Sequence, residues 1–487
     1  MGGIAKQSFS NLISITLAFL LGAINTVVLY PMFLGSTRQG LVVAILALSN
    51  LVQPLLSMGM QHAVVKFYSS YDKKYDRDAL LTAAVVFPLG IILLASLIFW
   101  WQYDAIVALV ASTNPDMGRY AFMILLIAIA TALFEIFYNW LRVQYTTVFG
   151  NFLKEFYPRA LIGLLIGAYA LEYIDFDGFF YALLLGYYLR LAIIIGYNLV
   201  VYRPSFRLQL PAGFQKVLVY SLWILLAGVA SSFLLDIDKS MLSNLMPVEM
   251  VAYYSVALFI ATVVELPGRA MFQIVSPMVA AAINNNDANR LKQLLHKSAT
   301  NLLLVSGLFF LLINLNLTDF YLFIEQPEYQ AAFLVVSLIS VGKLFSMSMG
   351  CINMIISNSS YYRYVMFFSM FAALLAVGLN LVLIPKIGLL GAAYATLAVM
   401  VLTNALKIGV VYFYFKIHPY SKQTLLQLLL IGVLFVVFQW IPFELGPFWA
   451  ILLRTAAIGV LYMVLAYWLG LLQELLAFAR RLGRNFL

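Results

Sequence analysis

Apolar runs of about 20 residues follow one another from end to end of the chain, separated by short polar gaps. A hydrocarbon core about 30 Å thick needs roughly 20 helical residues, and a helix satisfies every backbone group within its own segment. The pattern predicts about 14 membrane spans, near residues 10–34, 40–61, 79–101, 118–140, 157–172, 179–202, 217–240, 249–280, 298–317, 331–357, 364–384, 389–415, 424–442 and 448–472. The fifth is short, with Pro158 near its start, and the eighth is long, with Pro267 and Pro277 inside it. Both are expected to be kinked or interrupted.

Composition excludes a soluble reading. Of 487 residues 64% are hydrophobic and 10% charged, whereas soluble domains are about half apolar and a quarter charged. The only cysteine, Cys351, lies within an apolar run, so one chain can hold neither a disulfide framework nor a cysteine-rich metal site. The net charge of +9 does not point to nucleic acid, because the basic residues flank the spans instead of forming one basic domain; lipid phosphate and topology account for them.

Alternate gaps are rich in Lys and Arg: Lys6; Lys66, Lys73, Lys74 and Arg77; Arg142, Lys154 and Arg159; Arg203, Arg207 and Lys216; Arg290, Lys292 and Lys297; Arg363; Lys416 and Lys422; Arg480, Arg481 and Arg484. The opposite gaps hold only Arg38, Arg119, Lys239 and Lys386, with acids such as Glu172, Asp175, Asp177, Asp319, Glu325 and Glu328. By the positive-inside rule both termini are expected to be cytoplasmic, and the first apolar run reads as a retained helix. The tail 473–487 suits either an amphipathic helix on an anionic leaflet or a plain positive-inside anchor.

A shift of 212 residues lays the second span, from Gly40, over the eighth, from Ala252, with Gln53 opposite Glu265 and Pro54 one residue from Pro267. An offset of six spans keeps the orientation, so the expectation is two six-helix lobes related by a pseudo-two-fold axis along the membrane normal. The division expected is 1–210 and 211–418 for the lobes, 419–472 for spans 13 and 14, and 473–487 for the basic tail.

Enzyme chemistry is sparse. His62, His296 and His418 fall near the cytoplasmic ends of spans with no acid pair at metal-ligand spacing, and read as helix-end residues. Asp72, Asp76 and Asp78 sit among Lys73, Lys74 and Arg77 as on a solvated helix, and there is neither a P-loop nor a nucleophile elbow. No catalytic residue, metal or cofactor is expected.

Charges deep in spans are costly, about 2.5–3.5 kcal/mol each, and are functional candidates by default. Arg190 lies about 16 Å from either end of its span, and Lys343 is comparably deep. Lys407 and Arg454 lie closer to an interface and can snorkel, so they read as structural. Glu265 and Arg269, four residues apart, bracket Pro267 and Gly268; they form an intrahelical ion pair, or Arg269 meets an anion while Glu265 holds it between visits. Glu135 precedes Arg142 by two turns on one face. Asp236, Asp238 and Lys239 read as an interfacial anchor rather than a gate. The deep charges Arg190, Arg269 and Lys343, offset mainly by Glu265, sum to a positive interior, which suits an anion such as phosphate. Asn25, Gln53, Asn139, Asn353 and Asn380 can hydrogen-bond a sugar or another helix.

Three stretches carry a resemblance. YPMFLGSTRQG from Tyr30, followed by LSMGMQHAVVKFYS from Leu56, then DIDKSMLSNLMPVEMVAYYSVA from Asp236, and LNLVLIPKIGLLGAAYATLAV from Leu379 resemble bacterial polysaccharide (O-antigen type) flippases of the multidrug/oligosaccharidyl-lipid/polysaccharide exporter superfamily. The resemblance implies two six-helix bundles around a central cavity in the bacterial inner (plasma) membrane. It implies alternating access, a polyprenyl-pyrophosphate-linked oligosaccharide as cargo, and glycosyltransferases and a polysaccharide polymerase as partners. On that reading Arg190, Arg269, Lys343, Asn25 and Gln53 contact pyrophosphate or sugar, and Glu265 and Glu135 are charge partners or coupling groups. The rivals are a peptidoglycan-precursor flippase and a cation-coupled multidrug exporter of the same superfamily; the second favours deep acids over deep bases. A lipid-linked glycan polymerase needs a sizeable outer loop, which the sequence lacks.

Overall fold

The computed structural model describes residues 14–71, 73–144, 146–205, 209–441 and 446–472, and every element among them is helical. The basic tail 473–487, Lys6, Asp72 and Arg207 lie outside the described residues.

Eleven helices among the described residues are long and apolar enough to cross a bilayer, or twelve when the two halves of Phe214–Leu245, which meet at 45°, count as one. The expected fourteen is not reached by that measure, for two physical reasons. The first two expected spans merge into one 44-residue helical run, α1 (Ser14–Ser57). Pro31, which lacks an amide proton, lies in its π-helical stretch Ile24–Leu34, and Gly35 follows at φ 70°. Drawn straight, 44 residues would reach about 66 Å, twice the hydrocarbon thickness. Instead the chain turns at Gly35, and Gln39 Nε2 donates back to the Thr26 carbonyl at 3.4 Å.

After α1 come α2 (Met60–Phe67), α3 (Lys74–Trp101) and α4 (Ala121–Val143). The fifth expected span then supplies the second reason. Its α-helical part, α5 (Tyr157–Ala170), has only 14 residues, and a π-helical turn, Phe152–Phe156, precedes it beside Pro158. The interruption expected from that proline is therefore present. α6 (Phe176–Val201) and α7 (Phe214–Leu245) follow.

The chain divides into two compact units, Met1–Ser255 and Val256–Leu487, and the boundary falls inside α8 (Glu249–Thr262). In the first unit α4 is the hub, packing on α1, α2, α3 and α6. Ile136, Trp140 and Leu141 on α4 close a core with Leu80, Leu81 and Ile194. Leu93, Leu97 and Trp101 on α3 stay exposed, as expected where the solvent is lipid.

The eighth expected span is interrupted as its prolines suggest: α8 gives way to a 3-10 turn, Val263–Glu265, and α9 (Leu266–Asn284) restarts with Pro267 in its first turn. The spine of the second unit is the 36-residue α10 (Ala288–Phe323). α9, α11 (Phe333–Ser348), α14 (Lys422–Gln439) and α15 (Pro447–Trp468) pack around it. Between them α12 (Arg363–Ile387) and α13 (Leu389–Phe415) form a hairpin at Gly388, whose φ of 59° favours glycine. A Cβ on Gly391 would lie 2.3 Å from the Leu383 carbonyl oxygen, so the glycines of the LIPKIGLLG stretch serve this tight reversal. Cys351 is fully buried, and its backbone N–H donates to Ser298 Oγ at 3.0 Å.

Candidate functional site

In the first unit the charged residues gather where α4, the π-helical turn, α5 and α6 meet. Gly186, Arg190, Ile194 and Asn198 recur at helical spacing on the buried face of α6. Arg190 is therefore held inward, only 5% exposed. Its guanidinium lies 4.1 Å from the Phe134 ring centre and 4.8 Å from that of Tyr187. Its Nε meets no hydrogen-bond acceptor, and among the described residues no carboxylate pairs with it. Tyr157, at the start of α5, donates its hydroxyl to the Gly186 carbonyl at 3.0 Å and ties α5 to α6 beside it. Two aromatic faces can hold a guanidinium by cation–π attraction, but they leave its net charge uncancelled.

Glu135 does not pair with Arg142, although the two share a face of α4. Seven residues of helix separate them by about 10 Å, and Glu135 instead takes Lys154 of the π-helical turn at 2.7 Å. Arg142 donates to Asn139 Oδ1 at 2.9 Å. Lys154 is the functional candidate that helical spacing alone misses; the signal available was Pro158, whose disturbance of the helix register turns Lys154 toward α4. His62 on α2 lies in the field of Glu135, Lys154 and Arg142, and desolvation holds its imidazole below the usual range.

Asn25 is buried and donates to the Arg159 carbonyl at 2.6 Å, a tie between α1 and α5. Gln53 presents a buried Nε2 that finds no protein acceptor. Asp236, read as an interfacial anchor, is buried within α7, paired with Lys239 and receiving Asn50 Nδ2 of α1 at 3.1 Å. Asp238 accepts from the Tyr254 hydroxyl at 2.6 Å.

In the second unit the 3-10 turn points Glu265 at two cations. Lys343 on α11 lies 2.8 Å from Oε2, and Arg269 on α9 lies 3.7 Å from Oε1. The i, i+4 pair inferred from spacing is present, but the shorter contact goes to Lys343, 78 residues away in sequence. Arg269 is the most open of the three, with its side chain 53% exposed. Arg454 is tied to Asp319 and donates to the Leu315 carbonyl at 2.7 Å, as its structural reading requires. His296 and His418 come together with ring centres 5.9 Å apart, yet among the described residues no group of three His, Cys, Asp or Glu side chains could hold a metal. Each cluster thus carries more cations than carboxylates: Arg190, Lys154 and Arg142 around Glu135, and Lys343 and Arg269 around Glu265. Such an excess of cations is chemically suited to an anion, since forked guanidinium donors match phosphate oxygens.

No family profile and no curated protein matches the chain. Solved structures do. The chain is similar to a lipid II flippase, MurJ, in an inward closed conformation, with a TM-score of 0.71 and 16% identity over 94% of this chain and 98% of that one. It is similar to an inward-facing multidrug resistance MATE family transporter of the MOP superfamily, with a TM-score of 0.59 and 14% identity over 86% and 94% of the two chains. It is also similar to the MATE multidrug transporter DinF-BH, with a TM-score of 0.52 and 16% identity over 84% and 95%. These likenesses establish a shared fold, that of a multi-pass membrane protein.

Proposed function

We propose that the chain is a transporter of the bacterial inner (plasma) membrane that moves a polyprenyl-diphosphate-linked saccharide between leaflets by alternating access, with no covalent step. The observation that carries this reading is Arg190: a buried guanidinium, held by rings and not by a carboxylate, in a membrane-embedded helix. A cation left uncancelled at that depth is expensive unless an anion visits it. Arg269 and Lys343 around Glu265 extend the cationic character to the second unit. The six-helix lobes 1–210 and 211–418 are proposed as the moving bodies, with Pro31 and Pro267 marking the helices that bend.

For the saccharide, the MurJ likeness over 94% of the chain favours a peptidoglycan-precursor lipid. A longer O-antigen type oligosaccharide, supplied by glycosyltransferases and consumed by a polysaccharide polymerase, is the second reading, favoured by the sequence stretches around Gly40, Asp236 and Gly388. A cation-coupled drug exporter would be expected to concentrate acids where this chain concentrates bases.

The test is headgroup sidedness. Purified protein in liposomes carrying a labelled polyprenyl-diphosphate saccharide is scored by the action of an enzyme added outside only, for wild type, Arg190→Ala and Arg269→Ala. Wild type should raise accessibility and both variants should lose most of that gain. Accessibility equal to empty liposomes under every imposed gradient would remove the lipid-linked cargo and favour dye efflux as the next assay.

A further inference from the structure

On α4 the polar residues Thr131, Glu135, Tyr138, Asn139 and Arg142 recur every three or four positions and so form one stripe. Asn139 Nδ2 donates to the Glu135 carbonyl at 2.9 Å, and Arg142 Nη1 donates to Asn139 Oδ1 at 2.9 Å. Facing the stripe is the π-helical turn Phe152–Phe156, a widened helix of the kind often found at functional sites. It delivers Lys154 to Glu135 and sets the ammonium 4.7 Å from the Tyr138 ring centre; Arg142 approaches the same ring at 6.0 Å. Tyr138 is fixed in turn, its hydroxyl donating to Asn151 Oδ1.

One residue before Glu135, Phe134 carries Arg190 on its face. Three cations are thus strung along residues 134–142 of α4, a rise of about 12 Å. Their accessibility falls in order: Arg142 is exposed, the Lys154 and Glu135 side chains are 34% and 18% exposed, and Arg190 is 5% exposed. The open end is the Lys/Arg-rich end of the span, cytoplasmic by the positive-inside rule.

Resting on the reading above, we propose that Lys154 and Arg142 form a receiving subsite for the diphosphate, occupied before Arg190. Glu135 is its counter-ion, which holds Lys154 in place until a diphosphate oxygen replaces the carboxylate. The exchange is one of ionic partners only; no bond is made or broken. Glu135 competes with the anion for the same ammonium, so its removal should tighten anion binding. A purely structural ion pair predicts the opposite sign.

The test uses the full chain in phosphatidylcholine nanodiscs, with farnesyl diphosphate as the probe and farnesol, inorganic pyrophosphate and added phosphatidylglycerol as separate arms. Dissociation constants are measured by calorimetry, and thermal stability is followed for every variant. Lys154→Gln should weaken farnesyl diphosphate about 10-fold, as loss of one charge-assisted hydrogen bond does, and Arg142→Gln by a smaller factor. Glu135→Gln should tighten it several-fold. Farnesol should show none of these changes. The Glu135→Gln/Lys154→Gln pair removes both charges and guards against an effect of misfolding. It should keep wild-type thermal stability while binding about as weakly as Lys154→Gln.

Unchanged affinity in Lys154→Gln and Glu135→Gln, with Arg190→Ala still weakened, overturns the subsite and leaves the cationic transporter standing. Unchanged affinity in all three variants overturns both. Weakening by Glu135→Gln in step with lost thermal stability returns the pair to a structural role and overturns the subsite. Phosphatidylglycerol competing as well as farnesyl diphosphate would make this a lipid headgroup site and also overturn it.

Discussion

Replacing Glu265 by Gln removes the carboxylate that Lys343 and Arg269 share, and it does so where the side chains are only partly open to solvent, 23% for Glu265 and 17% for Lys343. At the observed 2.8 Å two unit charges attract by about 6 kcal/mol at an effective dielectric of about 20. Desolvation of both ions takes back most of that, so a net loss of about 2–3 kcal/mol is expected, the range for a hydrogen bond to a charged group. Lys343 then sits uncompensated beside a neutral amide. Replacing Lys343 by Met should cost a similar amount, because it strands Glu265 with only the longer contact to Arg269. The double variant should recover most of the loss, since neither ion is left alone. The assay is the inactivation half-life at fixed temperature in nanodiscs, because unfolding of so large a membrane protein is read as a rate. About 2 kcal/mol of coupling corresponds to roughly a 30-fold difference in half-life if it falls entirely on the unfolding barrier. Additive single and double variants, with a coupling under about 0.5 kcal/mol, would refute the claim that these charges hold the 3-10 turn to α11.

Three further outcomes follow from local geometry. Asp78 is fully buried and accepts from the Tyr202 hydroxyl and from the backbone and side chain of Ser205. Asp78→Ala should therefore cost about 2–4 kcal/mol, and limited proteolysis should show new cleavage in 202–213. A methyl on Gly391 has no room beside the Leu383 carbonyl, so Gly391→Ala should lower stability by about 1–3 kcal/mol, against little change for Gly409→Ala, where nothing lies within 4 Å. His62 is held below its ordinary pKa of 6.5 chiefly by desolvation, with Lys154 and Arg142 adding and Glu135 opposing. The unfolded chain then binds the extra proton first, so stability should fall as pH drops below about 6.5 and level off once the folded form is protonated too. His62→Gln should flatten that slope, which a thermal scan from pH 7.5 to 5 would read.

The sequence was legible wherever the physics is local. Prolines announced the breaks at Val263–Glu265 and beside Tyr157. The Glu265–Arg269 spacing gave a real contact. Partners supplied by another element were not legible: Lys154 for Glu135, Lys343 for Glu265 and Asn50 for Asp236. Each depends on how two helices rotate about their axes, which hydropathy leaves open. The number of spans was blurred for a related reason. The turn at Gly35, φ 70° and ψ 173°, falls between the expected spans 10–34 and 40–61 and was legible, whereas hydropathy does not mark the π-helical turn that precedes α5.

The burial of Cys351 has a practical corollary. A chain with one thiol, packed among Leu295, Ile352 and Val411 and out of contact with solvent, offers a silent background to maleimide chemistry. A cysteine introduced at exposed Gln102 or Ser357 would carry a fluorophore or spin label without first stripping the native residue. Distances and solvent exposure can thus be followed in the otherwise unaltered protein.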